Sequence, residues 1–322
     1  MIRFLAQRLA RLLLVLSGVS ILVFVLVDLA PGDYFQQMRL SPQISRETIA
    51  ALRAEYGVDQ PLPVRYARWL RSVSRGELGF SFAYNSPVWP ILRSRMANTL
   101  LLTIAALLAS WSIAIPIGVW MAHRAGKWED RISSVGWTLM LATPDVLIGL
   151  AALAFALRSG WLPTGGMRWP GFNDTEMFGG ARDVALHLIL PACALAAGML
   201  PVLVRHVRSA MLDVLQTPFI AAGRGLGIPR NRLLFGYALP AAANPLISLF
   251  GNSVGVLLSG SLLIEVIMSW PGIGPMFLQA ILERDPHVVV AAVLFSTLFL
   301  VGGNLLGDIL LYVFDPRIRV EY

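Results

Sequence analysis

The stretch AAGRGLGIPRNRLLFGYALP, residues 221–240, sits between two long apolar runs and is built unlike either. It holds Arg224, Arg230 and Arg232, the glycines at 223, 225, 227 and 236, and a closing Leu239-Pro240. Just ahead of it Val207, Met211, Val214 and Leu215 recur at helical spacing. Glycines and Pro229 then forbid a long continuous helix. The pattern predicts a short helix, a glycine turn and a surface position. From these residues alone two readings stay open. One is a docking element, whose small residues let another protein's backbone come close. The other is a linker, whose arginines set topology or meet lipid phosphates. A phosphate-binding P-loop is excluded, because it needs Gly-Lys-Ser/Thr and the single lysine, Lys127, precedes Trp128.

The rest of the chain says what carries this stretch. Of 322 residues 56% are hydrophobic and 14% charged, and the mean hydropathy is +0.67; soluble domains carry about 25% charge. Six segments are long and apolar enough to span a bilayer, which takes about 20 residues. They run from about Leu12 to Leu29, Thr99 to Ala122, Ile132 to Leu157, Val184 to Val204, Ala241 to Ile264 and Val288 to Phe314. The third is interrupted at Pro144-Asp145, and the fourth contains Pro191 and Pro201. An all-α, six-span membrane protein follows. The net charge of +7 belongs beside the spans rather than on nucleic acid. One cysteine, Cys193, and four scattered histidines exclude a disulfide framework and give no metal site. The first segment reads as an uncleaved anchor, since Pro31 directly after Ala30 makes a poor cleavage site.

Orientation follows from charge in the short loops. Thirteen basic residues fall at the N-terminus, after the second and fourth spans and in the tail, against four in the two opposite loops. Both termini and residues 221–240 are therefore expected in the cytoplasm. The segment from about Ala30 to Asn98 is long enough to cross regardless of its nine arginines. Its helix-like pieces, Glu47 to Tyr56 and Pro63 to Val73, suggest a small external cap. The expected division is residues 1–98, anchor plus cap, and residues 99–322, a five-helix core holding a cytoplasmic element at about 216–227.

Some residues inside or beside the spans draw notice. Asp145 lies within the third span, where a carboxylate costs at least about 2.5 kcal/mol and so faces a cavity or a partner; a pathway residue and a polar pair between helices are both open. Glu265, ahead of SWPGIG (residues 269–274), reads either as a gate at the outer mouth or as a snorkelling end-of-helix charge. Trp270-Pro271-Gly272 breaks any helix, and Pro275 to Leu282 restarts one beside the pathway. Asn98 is an expected N-cap of the second span. Asn304 and Asp308, four apart, read as helix-packing contacts, and His187 as a satisfied packing residue.

The opening stretch resembles the cytoplasmic coupling motif of ABC importer permeases: E-A-A, three residues, G, nine residues, I, one residue, L-P. Ala221, Ala222 and Gly223 fill the first three places, Gly227 the glycine, Tyr237 the isoleucine, and Leu239-Pro240 the end. The spacing matches throughout, while the glutamate, the second alanine and the isoleucine are replaced. GVSILVFVLVDLAPGD (18–33), YGVDQPLPVRYARWL (56–70), RGELGFSF (75–82), GWLPTGG (160–166), SWPGIGPMFLQAILERD (269–285) and DPRIRV (315–320) resemble the B subunits of dipeptide and oligopeptide permeases over nearly the whole chain.

The resemblance implies the type I ABC importer permease fold in a bacterial cytoplasmic membrane. It implies a second, similar six-span subunit, two ATPase subunits that hold ATP and Mg, and an external substrate-binding protein. This chain would then carry no cofactor and no catalytic residue. Ala221, Ala222, Gly223, Arg224, Gly227, Leu239 and Pro240 would couple it to the ATPases, with Asp145, Glu265 and Trp270 along the substrate path. Peptides are the expected solute, with nickel chelates, glutathione, opines and oligosaccharides as alternatives. An ion-coupled carrier would need more buried titratable groups and an internal repeat, and an intramembrane enzyme a nucleophile and base that the spans do not supply.

Overall fold

The structure is a computed structural model that describes residues 2–30, 46–57, 59–169 and 177–314. Pro31 to Asp33 and the tail DPRIRV with Arg317 and Arg319 lie outside the described residues. The order is α1 (Ile2–Leu29), α2 (Arg46–Tyr56), α3 (Leu62–Val73), a hairpin of β1 (Phe80–Ser81) and β2 (Ser86–Pro87), α4 (Val88–His123), α5 (Trp128–Leu141), α6 (Asp145–Ser159), α7 (Met177–Leu215), α8 (Pro218–Gly225), a π-helix (Arg232–Ala238), a helical turn (Leu239–Ala241), α9 (Ala243–Ile267), α10 (Ile273–Leu282) and α11 (Pro286–Phe314). Helices α1, α4, α7, α9 and α11 are long and apolar enough to cross a membrane. The pair α5–α6 forms the sixth candidate, bent by 98° across Ala142 to Pro144.

The described residues divide into two compact units. One comprises Met1–Thr99 and Pro271–Leu298, the other Leu100–Trp270 and Phe299–Tyr322. In the first, α1 meets α3 through aromatic rings. Phe24 lies 5.4 Å from Tyr66 and 5.9 Å from Trp69, centroid to centroid. Arg65 pairs with Asp28 at 2.5 Å, and Ser20 Oγ meets Tyr66 Oη at 2.8 Å. Buried Asp285 organises the hairpin and the start of α11. It accepts from Ser81 Oγ at 2.7 Å, from the Ala83 N–H at 3.2 Å and from the Val288 N–H at 3.3 Å.

Asn98 does not cap α4. It lies inside the helix, which starts at Val88, and its Nδ2 donates to the Pro271 carbonyl at 2.8 Å. One residue on, Thr99 Oγ1 accepts the Ile273 N–H at 2.8 Å. The polar residues Arg93, Arg95 and Asn98 hide the first turns of α4 from a hydropathy reading.

The second unit packs by close approach. Lipid is as apolar as leucine, so small residues rather than hydrophobicity bring membrane helices together. A β-carbon at Gly118 of α4 would stand 2.6 Å from Val207 of α7. One at Gly149 of α6 would stand 2.8 Å from Ile264 of α9. Gly251 of α9 and Gly307 of α11 meet backbone to backbone: a β-carbon on either would lie 2.8 Å from the other's Cα. The close approach on α11 is made by Gly303 and Gly307; Asn304 is exposed and Asp308 half-buried. His187 is buried, its Nδ1 2.9 Å from the Asp183 carbonyl oxygen and 3.0 Å from the Asp183 carboxylate.

Candidate functional site

Helix α7 has 39 residues, about 58 Å at 1.5 Å per residue, twice the roughly 30 Å of a hydrocarbon core. It therefore projects beyond the membrane and carries α8 with it. Near its end Arg208 grips the first turn of α5. Its Nε and Nη2 donate to the two oxygens of Asp130 at 2.7 Å each, and the Gly126 N–H adds a third bond at 3.1 Å. A forked guanidinium–carboxylate pair fixes direction as well as distance. Nothing in the sequence marked this pair beyond the charge of Arg208 in its loop.

The local sequence dictates α8. Thr217 has extended backbone angles and Pro218 takes the first helical position, where its missing N–H costs nothing. The helix lasts eight residues and stops at Gly227, whose φ is +73°. The Gly227 N–H bonds the Arg224 carbonyl at 3.0 Å and the Ile228 N–H the Gly223 carbonyl at 3.2 Å. These two bonds form a Schellman motif, which asks for glycine at the left-handed position. Ile228 also lies where it would contact a β-carbon at Gly223, at 3.6 Å.

One face of α8 is anchored. Ile220 is fully buried, and a β-carbon at Gly223 would lie 2.9 Å from Leu233 Cδ1. Leu233 and Leu234 are buried on the π-helix that follows. The other face is open: Ala221, Ala222 and Arg224 are exposed, as are Phe219 at 49% and Leu226 at 81%. The π-helix ends where Pro240 can donate no backbone bond, and the Leu239 N–H instead bonds the Leu234 carbonyl five residues back. Leu239 is half-buried and Pro240 exposed. Of the expected coupling residues, then, Ala221, Ala222, Arg224, Gly227 and Pro240 are presented, while Gly223 lets α8 settle onto Leu233. Phe219, Leu226 and the π-helix had no signal in the spacing of the motif.

The expected path residues separate. Trp270 is fully buried in the apolar cluster of the second unit, its N–H bonded to the Glu265 carbonyl at 2.8 Å. It is a packing residue. Glu265 is also fully buried, which rules out snorkelling at the helix end. Asp145 is exposed, but it is the first residue of α6, at the break rather than within a continuous span.

The model of the binding-protein-dependent transport system inner membrane component matches residues 114–320, and its N-terminal companion model matches residues 1–103. The chain belongs to this family. The permease is 35% identical over 307 residues to the oligopeptide transport system permease protein AppB of Bacillus subtilis, covering 95% of each chain. It is 33% identical to the dipeptide transport system permease protein DppB of Escherichia coli K12, covering 99% of each. It is 30% identical to the glutathione transport system permease protein GsiC of Salmonella paratyphi A, covering all of both. Its fold is similar to that of the inward-facing MetNI methionine ABC transporter, with a TM-score of 0.58 at 17% identity over 70% of this chain and 96% of that one. This permease is thus a multi-pass protein of a bacterial inner membrane and the transport subunit of an ABC importer. It works with other components of that importer.

Proposed function

We propose that this permease imports short peptides, and that α8 is the surface on which an ATPase subunit seats. The importer would hold a second six-span permease, two ATPases that bind ATP and Mg, and an external binding protein that delivers the peptide. The core at residues 99–322 would carry the path, with residues 1–98 as anchor and cap and both termini in the cytoplasm. ATP binding would draw the ATPases together, move α8, and through α7 and the Arg208–Asp130 fork move the α5–α6 pair.

The observation that carries this reading is the two-sided character of α8. Ile220 and Gly223 fix it, while Phe219 and Leu226 stand out from it with Ala221 and Ala222 between. An apolar residue 81% exposed at the tip of an eight-residue helix is what a groove on a partner would receive. The peptide assignment is supported by relatives named for oligopeptides and dipeptides. Leu226→Cys, in a chain whose native Cys193 is alanine, should cross-link to the ATPase subunit in the assembled complex. Modification by lipid-soluble maleimides without any cross-link would show α8 lying in the membrane surface instead.

A further inference from the structure

Asp145 stands where the fifth and sixth helices break apart, and its surroundings are specific. A β-carbon at Gly198 of α7 would lie 2.5 Å from Asp145 Oδ1 and 3.9 Å from Oδ2. A β-carbon at Gly260 of α9 would lie 3.9 Å from Oδ2. The carboxylate therefore occupies the volume that a side chain at 198 would fill, and two spanning helices present no side chain beneath it. Leu195 Cδ1, 3.2 Å from the β-carbon position of Gly260, forms an apolar wall. The residue stays exposed on its remaining side, and among the described residues nothing hydrogen-bonds or ion-pairs with its carboxylate.

Broken spans are where transport proteins place their substrate sites, because irregular backbone at membrane depth must line a cavity or be buried in protein. A carboxylate there is too costly to face lipid. A metal ion is a poor occupant, since a hard cation takes six or more oxygen ligands and no group of three or more potential ligands occurs among the described residues. One exposed carboxylate set over two glycines suits an organic ammonium, which is compact and brings three donors.

We propose that Asp145 is the specificity residue of the path: it receives the ammonium group of the passing solute, in the space left by Gly198 and Gly260. The inference rests on the peptide-import reading. A peptide's ammonium comes from its N-terminus or from a lysine side chain, and the probes below distinguish the two.

The test uses the complete importer in proteoliposomes, at concentrations that saturate the delivery protein. The probes are Ala-Ala, N-acetyl-Ala-Ala and N-acetyl-Ala-Lys. Asp145→Asn should lower Ala-Ala uptake about tenfold, the worth of one close charge pair, and leave N-acetyl-Ala-Ala unchanged; Asp145→Glu should restore part of the loss. An added loss for N-acetyl-Ala-Lys shows that a side-chain ammonium also serves. Equal loss for charged and acetylated dipeptides, or no loss at all, overturns the proposal. If Asp145→Asn fails to assemble, Thr143→Cys in the Cys193→Ala chain, at an exposed position two residues away that keeps the carboxylate, gives a second readout. Ala-Ala should protect it at least severalfold from a water-soluble methanethiosulfonate, and absence of protection overturns the proposal. If the wild-type complex imports no peptide, the peptide reading itself falls, and this inference with it. If it imports Ala-Ala and Asp145→Asn ignores charge, only this inference falls.

Discussion

At the scale of the residue, Gly227 is the position where sequence and mechanism meet. Its φ of +73° is a conformation that L side chains resist by about 1–2 kcal/mol, most of all when β-branched. A β-carbon there would meet nothing within 4 Å, so the penalty is one of backbone and not of space. Gly227→Val should open the Schellman motif, misplace Leu226 and Ile228, and lower ATP-dependent uptake by roughly tenfold, with the complex still assembled. Gly225 supplies the control, for it is helical and equally unhindered. Gly225→Ala should stay within about twofold of wild type, because it trades glycine for a better helix former. Uptake assays on the two variants separate backbone geometry from bulk. Gly227 was legible because motif spacing and turn chemistry point to the same residue. Trp270 and Glu265 were not, because complete burial beside a helix break is decided by helices distant in sequence. Asp145 was legible as a costly charge at the Pro144 interruption, but only the structure sets it over two glycines.

At the scale of the element, all six expected spans correspond to helices or, for the third, to the bent pair α5–α6. The prolines at 191 and 201 interrupt nothing: α7 runs through both, since a membrane helix tolerates a lost bond when neighbours support it. Pro144 does interrupt, because Ala142 to Pro144 leave the helix altogether and the chain turns by 98°. Proline composition alone does not separate these outcomes. Registry was equally hidden: one residue along a helix rotates a face by about 100°, and the α9–α11 seam runs through Gly303 and Gly307, each one residue before the polar Asn304 and Asp308 that the sequence reading singled out. The seam makes a direct prediction. Gly251→Leu would push a side chain into the Gly307 backbone and should lower the thermal stability of the purified permease by about 1–3 kcal/mol. Gly302→Leu, on α11 beside the seam but with nothing within 4 Å, should stay within about 0.5 kcal/mol of wild type. Equal effects would show that the seam is not a packing contact.

At the scale of the whole molecule, the proposed coupling makes the chain a conduit with a handle. The handle is α8, held by Ile220 and Gly223 and presenting Phe219 and Leu226. The conduit is the set of spans that Arg208 and Asp130 tie to it. Helices α8, α7 and α5 and the break at Asp145 all lie within one compact unit, the connection that the proposed coupling would use. Composition and hydropathy were enough for the class of protein, and the coupling motif together with the long ordered matches along the chain for its family. The paths of force were not legible, because ion-pair forks and glycine contacts join residues far apart in the chain. The measurement that bears most directly on the account is uptake of labelled Ala-Ala into proteoliposomes holding this permease, its sister permease, both ATPases and the delivery protein. ATP enclosed on the α8 side should drive accumulation of the dipeptide, and ATP on the opposite side should not. Accumulation that proceeds without ATP, or that follows a proton gradient instead, would contradict it.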